Sequence, residues 1–253
     1  MSRSKGLKET YYPESEFGGY SRVDGTVPFF QRVQALARPD MVVLDVGCGR
    51  GAVVDRLEKD PWEKCRILKG VCKKVIGIDV TDAGRENVLI DEFRRIEGDR
   101  WPVEGSSIDL LVSDAVLEHI ADPDLFFTEC SRVVKPGGYA CFRTPNRWGY
   151  PFIAATIIPN RLHAKVISVV QPGREAHDVF PTYYRANTIG ALRRLLRNHQ
   201  FEGCVFRHIS EPTYLGFSRW SYALGVYLHR WLPAFLWPGL FVFARRIGNH
   251  RVQ

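Results

Sequence analysis

Val42-Val43-Leu44-Asp45-Val46-Gly47-Cys48-Gly49-Arg50-Gly51 is a β-branched and apolar run that ends in an acid and then places glycine at three alternating positions. An apolar-periodic segment from Ala52 to Leu57 follows. This order predicts a buried parallel strand over about 42–47, a tight turn, and a helix over about 51–60. Without a Cβ, Gly47, Gly49 and Gly51 let the backbone take unusual φ and lie against a ligand. The N-terminus of a helix behind such a turn offers free N–H groups. A nucleoside-containing cofactor is therefore expected here.

Two cofactor chemistries compete for this turn. Gly47, Gly49 and Ala52 formally satisfy the dinucleotide pattern G-x-G-x-x-G/A. Asp45 argues the other way, because a carboxylate at the strand end suits a cationic amino-acid moiety and repels a pyrophosphate. Cys48 and Arg50 complete the run D-V-G-C-G-R-G, which resembles the first motif of class I S-adenosylmethionine-dependent methyltransferases.

The downstream landmarks keep that order. Val75-Ile76-Gly77-Ile78-Asp79-Val80 reads as a second strand ending in an acid suited to a ribose diol, a feature that NAD enzymes share. Ile108 to Asp114 is a further apolar strand, followed by Ala115-Val116-Leu117-Glu118-His119-Ile120. Arg132-Val133-Val134-Lys135-Pro136-Gly137-Gly138 leads into a strand over 138–143. The pairing of SDAVLEHI with RVVKPGG is similar to the type 11 methyltransferase group, over roughly residues 40–146 and more weakly to about 246. The resemblance implies an α/β fold: a doubly wound, mostly parallel seven-stranded Rossmann-like sheet with an antiparallel last strand and helical insertions. It divides the chain into an N-terminal lid and helix, 1–40, and a methyltransferase domain, 41–253, with acceptor-side insertions at about 147–186 and 213–234.

The resemblance also implies site residues. Asp45, Gly47, Cys48, Gly49, Gly51, Asp79 and Val80 would hold S-adenosylmethionine. Asp99, Arg100 and Trp101 would serve its adenine, with Trp101 stacking on the ring; the alternative for Asp99 is a plain turn residue. Asp114 and Ala115, at the end of a strand, match the position beside the methionine or the acceptor. Tyr11, Tyr12 and Tyr20 belong to a segment that folds over the cofactor in relatives; the alternative for each, and the favoured one, is ordinary packing. His119 and His177 are the candidate general bases, histidine being the side chain whose ordinary pKa permits it near neutrality. His119 is otherwise a turn-ordering residue. His177-Asp178, with Phe180 and Thr182, resembles the H-D-x-x-F-x-T run of quinone-type O-methyltransferases, here interrupted by Pro181. Arg143, Tyr183, Tyr184 and Arg185 are candidates for the acceptor.

Other local signals are physical. Thr26–Ala37 carries an amphipathic helical pattern. Asp122-Pro123 predicts a capped helix start and Lys135 to Gly138 its stop. Residues 82–95 carry a modest helical signal, with 91–98 as a short strand or turn. Asn187-Thr188 opens a helix through His199, and strands are expected over 204–210 and 239–247. The segment 213–232 is dense in Trp, Tyr and Arg. Most of its apolar residues read as a core-facing helix over the substrate pocket, with an interfacial helix touching a membrane as the alternative.

Composition sets the outer bounds. The 253 residues are 45% hydrophobic and 25% charged, as expected of a globular chain able to bury a core. Six cysteines without C-x-x-C spacing predict buried thiols rather than disulfides or metal ligands. No metal is expected. Residues 1–10 lack an apolar core, so no secretory signal is expected. The apolar stretch 231–244 is short and broken by Pro233 and Pro238, which argues against a membrane span. A cytoplasmic location follows, with peripheral membrane contact open. Residues 1–142 hold 20 Lys+Arg against 24 Asp+Glu, whereas 143–253 hold 15 against 4. Such a basic half suits an anionic acceptor or surface, and a solvated arginine-rich face equally. The family resemblance implies methyl transfer to oxygen of a small molecule or of a glycan- or lipid-linked intermediate, and the basic half is compatible with an anionic one. Nucleic acid is not expected, since no N-P-P-Y signature or base-stacking arrangement accompanies the arginines. A cofactor-binding scaffold or regulator without turnover is a second reading, and a nucleic-acid methyltransferase, which the basic C-terminal half would suit, is a third.

Overall fold

A computed structural model describes residues 6–51, 61–157 and 180–248. A seven-stranded sheet organises them in the order β3-β2-β1-β4-β5-β7-β6. The strands are β1 (Val42–Val46), β2 (Lys74–Asp79), β3 (Glu92–Arg95), β4 (Ile108–Asp114), β5 (Val134–Pro145), β6 (Phe201–His208) and β7 (Gly239–Arg246). β1 pairs in parallel with β2 on one side and β4 on the other, with Leu44 opposite both Ile76 and Leu111. Burial on both faces explains why β1, β2 and β4 are continuous apolar runs rather than alternating ones.

β7 runs antiparallel to both neighbours. Along β6 and β7, the Ile247 N–H donates to the Gln200 carbonyl, while Gly203 lies against Phe243 and Gly239 against His208, so one number falls as the other rises. The same reversal holds against β5, where Arg246 meets Val134, Arg245 meets Gly137, and the Asn146 N–H just past β5 donates to the Pro238 carbonyl just before β7. The mixed sheet with an antiparallel last strand is the one the sequence motifs imply.

The described helices are α1 (Leu7–Tyr11), α2 (Val27–Leu36), α3 (Pro123–Val133), α4 (Tyr150–Ile157), α5 (Ile189–Asn198) and α6 (Arg219–His229). The capped start expected at Asp122 holds, and the helix expected to open at Asn187-Thr188 is capped too. The Asp122 carboxylate accepts from the Leu125 N–H at 3.0 Å, and the Thr188 hydroxyl accepts from Ala191 at 3.1 Å. Elsewhere tertiary context overrides the local signal. The helical pattern over 82–95 becomes a single turn, Asp82–Glu86, and then β3, because Glu92 to Arg95 pair with Ile76 to Asp79. The Lys135-Pro136-Gly137-Gly138 run ends α3 but already belongs to β5. The helix expected over 51–60 falls almost wholly outside the described residues.

The chain forms two compact units. The first takes the described parts of 1–25, 146–181 and 207–239; the second takes 26–145, 182–206 and the final strand. The proposed 1–40 lid is thus divided, since α2 belongs with the sheet, where Phe29, Phe30 and Val33 pack with Val43, Leu110 and Phe241. In the first unit, Asn146 is buried and its amide donates to the Phe235 and Trp237 carbonyls at 3.0 and 2.8 Å. Most of the large apolar side chains of 213–232 are exposed, which corrects their core-facing reading. Tyr222 is the buried exception. No described helix is long and apolar enough to cross a membrane.

Candidate functional site

The strand order reverses at β1, where the chain leaves the β1–β2–β3 half and returns at β4. Crevices at the carboxyl ends of strands beside such a switch point are the usual ligand sites of doubly wound sheets. A cleft of about 260 Å³ lies there, lined by residues that include Asp45, Gly47, Gly49, Arg66, Asn87 and Asp114.

The turn after β1 is held from beneath. The Gly47 and Cys48 N–H groups both donate to the Ile78 carbonyl, at 2.8 and 3.3 Å. Gly47 has φ +75°, and a Cβ there would collide with the Val116 side chain, so only glycine fits. Asn87 donates to the Cys48 and Gly49 carbonyls at 2.9 and 3.2 Å, bracing the turn from a loop nearly forty residues away. Asp79 accepts from the Gly49 N–H at 3.1 Å and from Thr81, tying the end of β2 to the same turn. Val80, next to it, is exposed.

Two carboxylates at neighbouring strand ends have opposite electrostatics. Asp45 has no hydrogen-bond donor among the described residues. Burial first, then the charges of Asp114 and Asp79, push its carboxyl up to about 7, against the pull of Arg66. Burial would raise Asp114 too, but Arg143 and Arg66 outweigh it and hold that carboxyl below its usual range. Arg143 grips Asp114 in a bidentate pair, Nε to Oδ1 and Nη2 to Oδ2, both at 2.6 Å. Arg66 adds a contact to Oδ2 at 2.9 Å and packs over Phe30 at 5.2 Å. Arg143, expected beside the acceptor, is thus a partner of Asp114 and of the Thr26 hydroxyl at 2.8 Å.

Ala115 follows β4 with φ +58°, a strained conformation for a residue with a side chain. Its N–H donates to the Arg143 carbonyl at 2.9 Å. Glu118 is 7% exposed; burial raises its carboxyl, which accepts from the Thr144 hydroxyl at 3.0 Å. Asn187 donates to Thr144 at 2.6 Å and extends this buried polar chain. Half-buried His119 stands beside it. The Tyr183 and Tyr184 N–H groups donate to the Glu118 carbonyl at 2.7 and 3.2 Å, which brings the acceptor candidates to the end of β4. Arg185 stacks over Tyr183 at 5.6 Å and donates to the Ala121 carbonyl at 2.7 Å.

Trp101 is corrected. It is 6% exposed within the core, its ring 5.2 Å from Phe126, and its backbone N–H donates to the Glu129 carboxylate. It is not free to stack on a ligand. Asp99 and Arg100 are exposed and do not line the cleft. His177 lies outside the described residues. No group of His, Cys, Asp and Glu that could hold a metal occurs among the described residues. Arg66 and Asn87 were missed by sequence reasoning: Arg66 was one cation in a basic linker, and nothing near Asn87 signals its reach back to the turn.

Comparison with known proteins agrees with this geometry. The family profile described as "Methyltransferase domain" matches residues 44–142. A Rhizobium etli protein named ubiquinone biosynthesis O-methyltransferase is 33% identical over 139 residues, covering 51% of each chain. The chain thus spans about half the length of the curated relatives it matches. Among solved structures, a chain of the complex between the Haloferax volcanii Trm112 methyltransferase activator and a methyltransferase superposes with TM-score 0.57. It is 13% identical, covering 89% of this chain and 91% of that one. The [4+2]-cyclase SpnF is similar at TM-score 0.51 and 17% identity, covering 88% and 81%. Likeness of fold therefore does not by itself name a reaction.

Proposed function

We propose that this chain, which carries a class I S-adenosylmethionine-dependent methyltransferase domain, transfers a methyl group from that cofactor to an oxygen of a small molecule or of a glycan- or lipid-linked intermediate. The cleft at the end of β1 carries the proposal: a turn that only glycine can make, in one lining with Arg66 and with the Asp45 carboxylate, which has no hydrogen-bond donor among the described residues. Those residues fit the cofactor. Asp45 suits the ammonium of the methionine moiety, and a cation there would also return its carboxyl to the ionised form. Arg66 suits the methionine carboxylate, because Asp114 keeps both oxygens engaged by Arg143 if Arg66 turns away. Asp79 is assigned the ribose.

When bound, the cofactor supplies an electrophilic methyl on a sulfonium. The protein's part is to align the acceptor, exclude water and take a proton from a hydroxyl. His119, beside the Glu118–Thr144–Asn187 chain, and His177 are proposed for that proton. Tyr183, Tyr184 and Arg185 are proposed for the acceptor's wall. The name of the similar Rhizobium protein supports oxygen of a small molecule as the acceptor class.

Calorimetry with S-adenosylhomocysteine tests the cofactor site, and transfer of a tritiated methyl group to an extract fraction tests turnover. Absence of binding would remove the proposal. Tight binding without any labelled product would leave a scaffold in place of an enzyme.

A further inference from the structure

Helix α6 (Arg219–His229) is amphipathic in the reverse sense. Its buried positions are Tyr222 and Gly225, and a Cβ on Gly225 would come within 2.8 Å of Leu215 and Pro212. Trp220, Leu224, Tyr227 and Leu228 recur at i, i+4, i+7 and i+8, so they share one helical face. The Trp231 N–H donates to the Leu228 carbonyl at 3.0 Å, continuing the turn and placing its ring at i+11 on that face. All five side chains are exposed, Trp220 by 83% and Trp231 by 76%. Phe217 before the helix and Phe235 after it are exposed as well.

A lone exposed apolar residue needs no explanation, whereas a contiguous stripe of large ones marks an interaction surface. We propose that this face docks on an anionic phospholipid surface. Three observations choose lipid as the occupant. Trp and Tyr, which dominate the stripe, pair an apolar ring with a polar tip and suit the depth of lipid headgroups. Arg219 and Arg230 follow the same side of the helix at i and i+11, where their stems can lie along the apolar face with the charge reaching outward. No Asp or Glu occurs after Glu211, so nothing on this stretch repels a negative surface. Eleven residues of helix measure about 16 Å, too short to span a bilayer, so α6 would lie in its plane.

The inference is independent of methyl transfer, and its test reads vesicle binding. The whole chain is sedimented with phosphatidylcholine vesicles, with and without phosphatidylglycerol, at low and high salt. The expected result is partition onto the anionic vesicles that weakens with salt. Replacing Trp220→Ala and Trp231→Ala together lowers partition at least about tenfold through lost apolar burial. Arg219→Glu with Arg230→Glu lowers it at least about fivefold per charge on anionic vesicles. Both pairs are exposed, so the thermal midpoint stays unchanged and folding is not confounded. No partition at low salt, or equal partition by both double variants and the unaltered chain, overturns the proposal. A dimer in velocity sedimentation that the tryptophan variant splits, with no vesicle binding, also overturns it and makes a second copy the occupant.

Discussion

The two units treat their aromatic side chains in opposite ways. In the sheet unit Phe29, Phe127, Phe142, Phe201 and Phe241 are fully buried, and Tyr183 is the exposed aromatic among its described residues. In the other unit Phe17, Trp148, Phe217, Trp220, Tyr227, Trp231 and Phe235 all stand in solvent. Burial of apolar surface dominates folding, so the sheet unit spends its large side chains on stability. The aromatic unit buries Tyr12 and Tyr222 and leaves most of its other large rings open to contact with something outside the chain. The same residue types thus answer two different demands, and only their direction tells which.

Substitutions can break this contrast or sharpen it. Leu111→Ala, in the centre of the sheet, is expected to cost about 2–5 kcal/mol in denaturant melts. Arg66→Gln should weaken S-adenosylhomocysteine binding about ten- to a hundredfold, the loss of a charge-assisted contact. Binding of methylthioadenosine, which lacks the carboxylate, should stay unchanged; equal loss of both ligands would remove Arg66 from the carboxylate.

Asp45→Asn gives a pH-dependent effect. The folded carboxyl is raised from 3.8 to about 7, so below about pH 4 both states are protonated and the residue costs nothing. Between those values the unfolded chain releases the proton and the folded one retains it, so stability falls as pH rises. The asparagine variant should therefore gain on the native protein through that window, by on the order of 1–2 kcal/mol above pH 7 after allowance for solvent in the cleft. A thermal midpoint difference that is flat with pH would contradict this. Thr188→Ala, which removes the cap of α5, should cost about 1 kcal/mol. Trp220→Ala should change stability by less than about 0.5 kcal/mol; a larger loss would mean that the aromatic unit uses its exposed rings for folding after all.

What could be read in advance follows the range of each interaction. The β1 turn, the caps at Asp122 and Thr188 and the strand-end acids are local, so a few adjacent residues disclose them. Asn87 and Arg66 act across many intervening residues and leave no local pattern. Trp101 had the expected residue type at the expected spacing, but its ring is claimed by Phe126 and the core. Residues 82–95 lost a weak helical preference to pairing with β2. For α6, composition disclosed a run dense in aromatics and arginine and could not say which side of the helix faces the protein.

The position of β7 carries a consequence for how the chain matures. β6 emerges at residues 201–208, yet the strand that must lie between it and β5 is not complete until residue 246. During synthesis β6 has no partner edge to join, and α5, which precedes it, must rest on an unfinished sheet. Closure of the described fold is thus a late, non-local event, which slows folding and leaves an open strand edge in the interval. A nascent chain stalled between β6 and β7 would be the species most prone to pair with its neighbours.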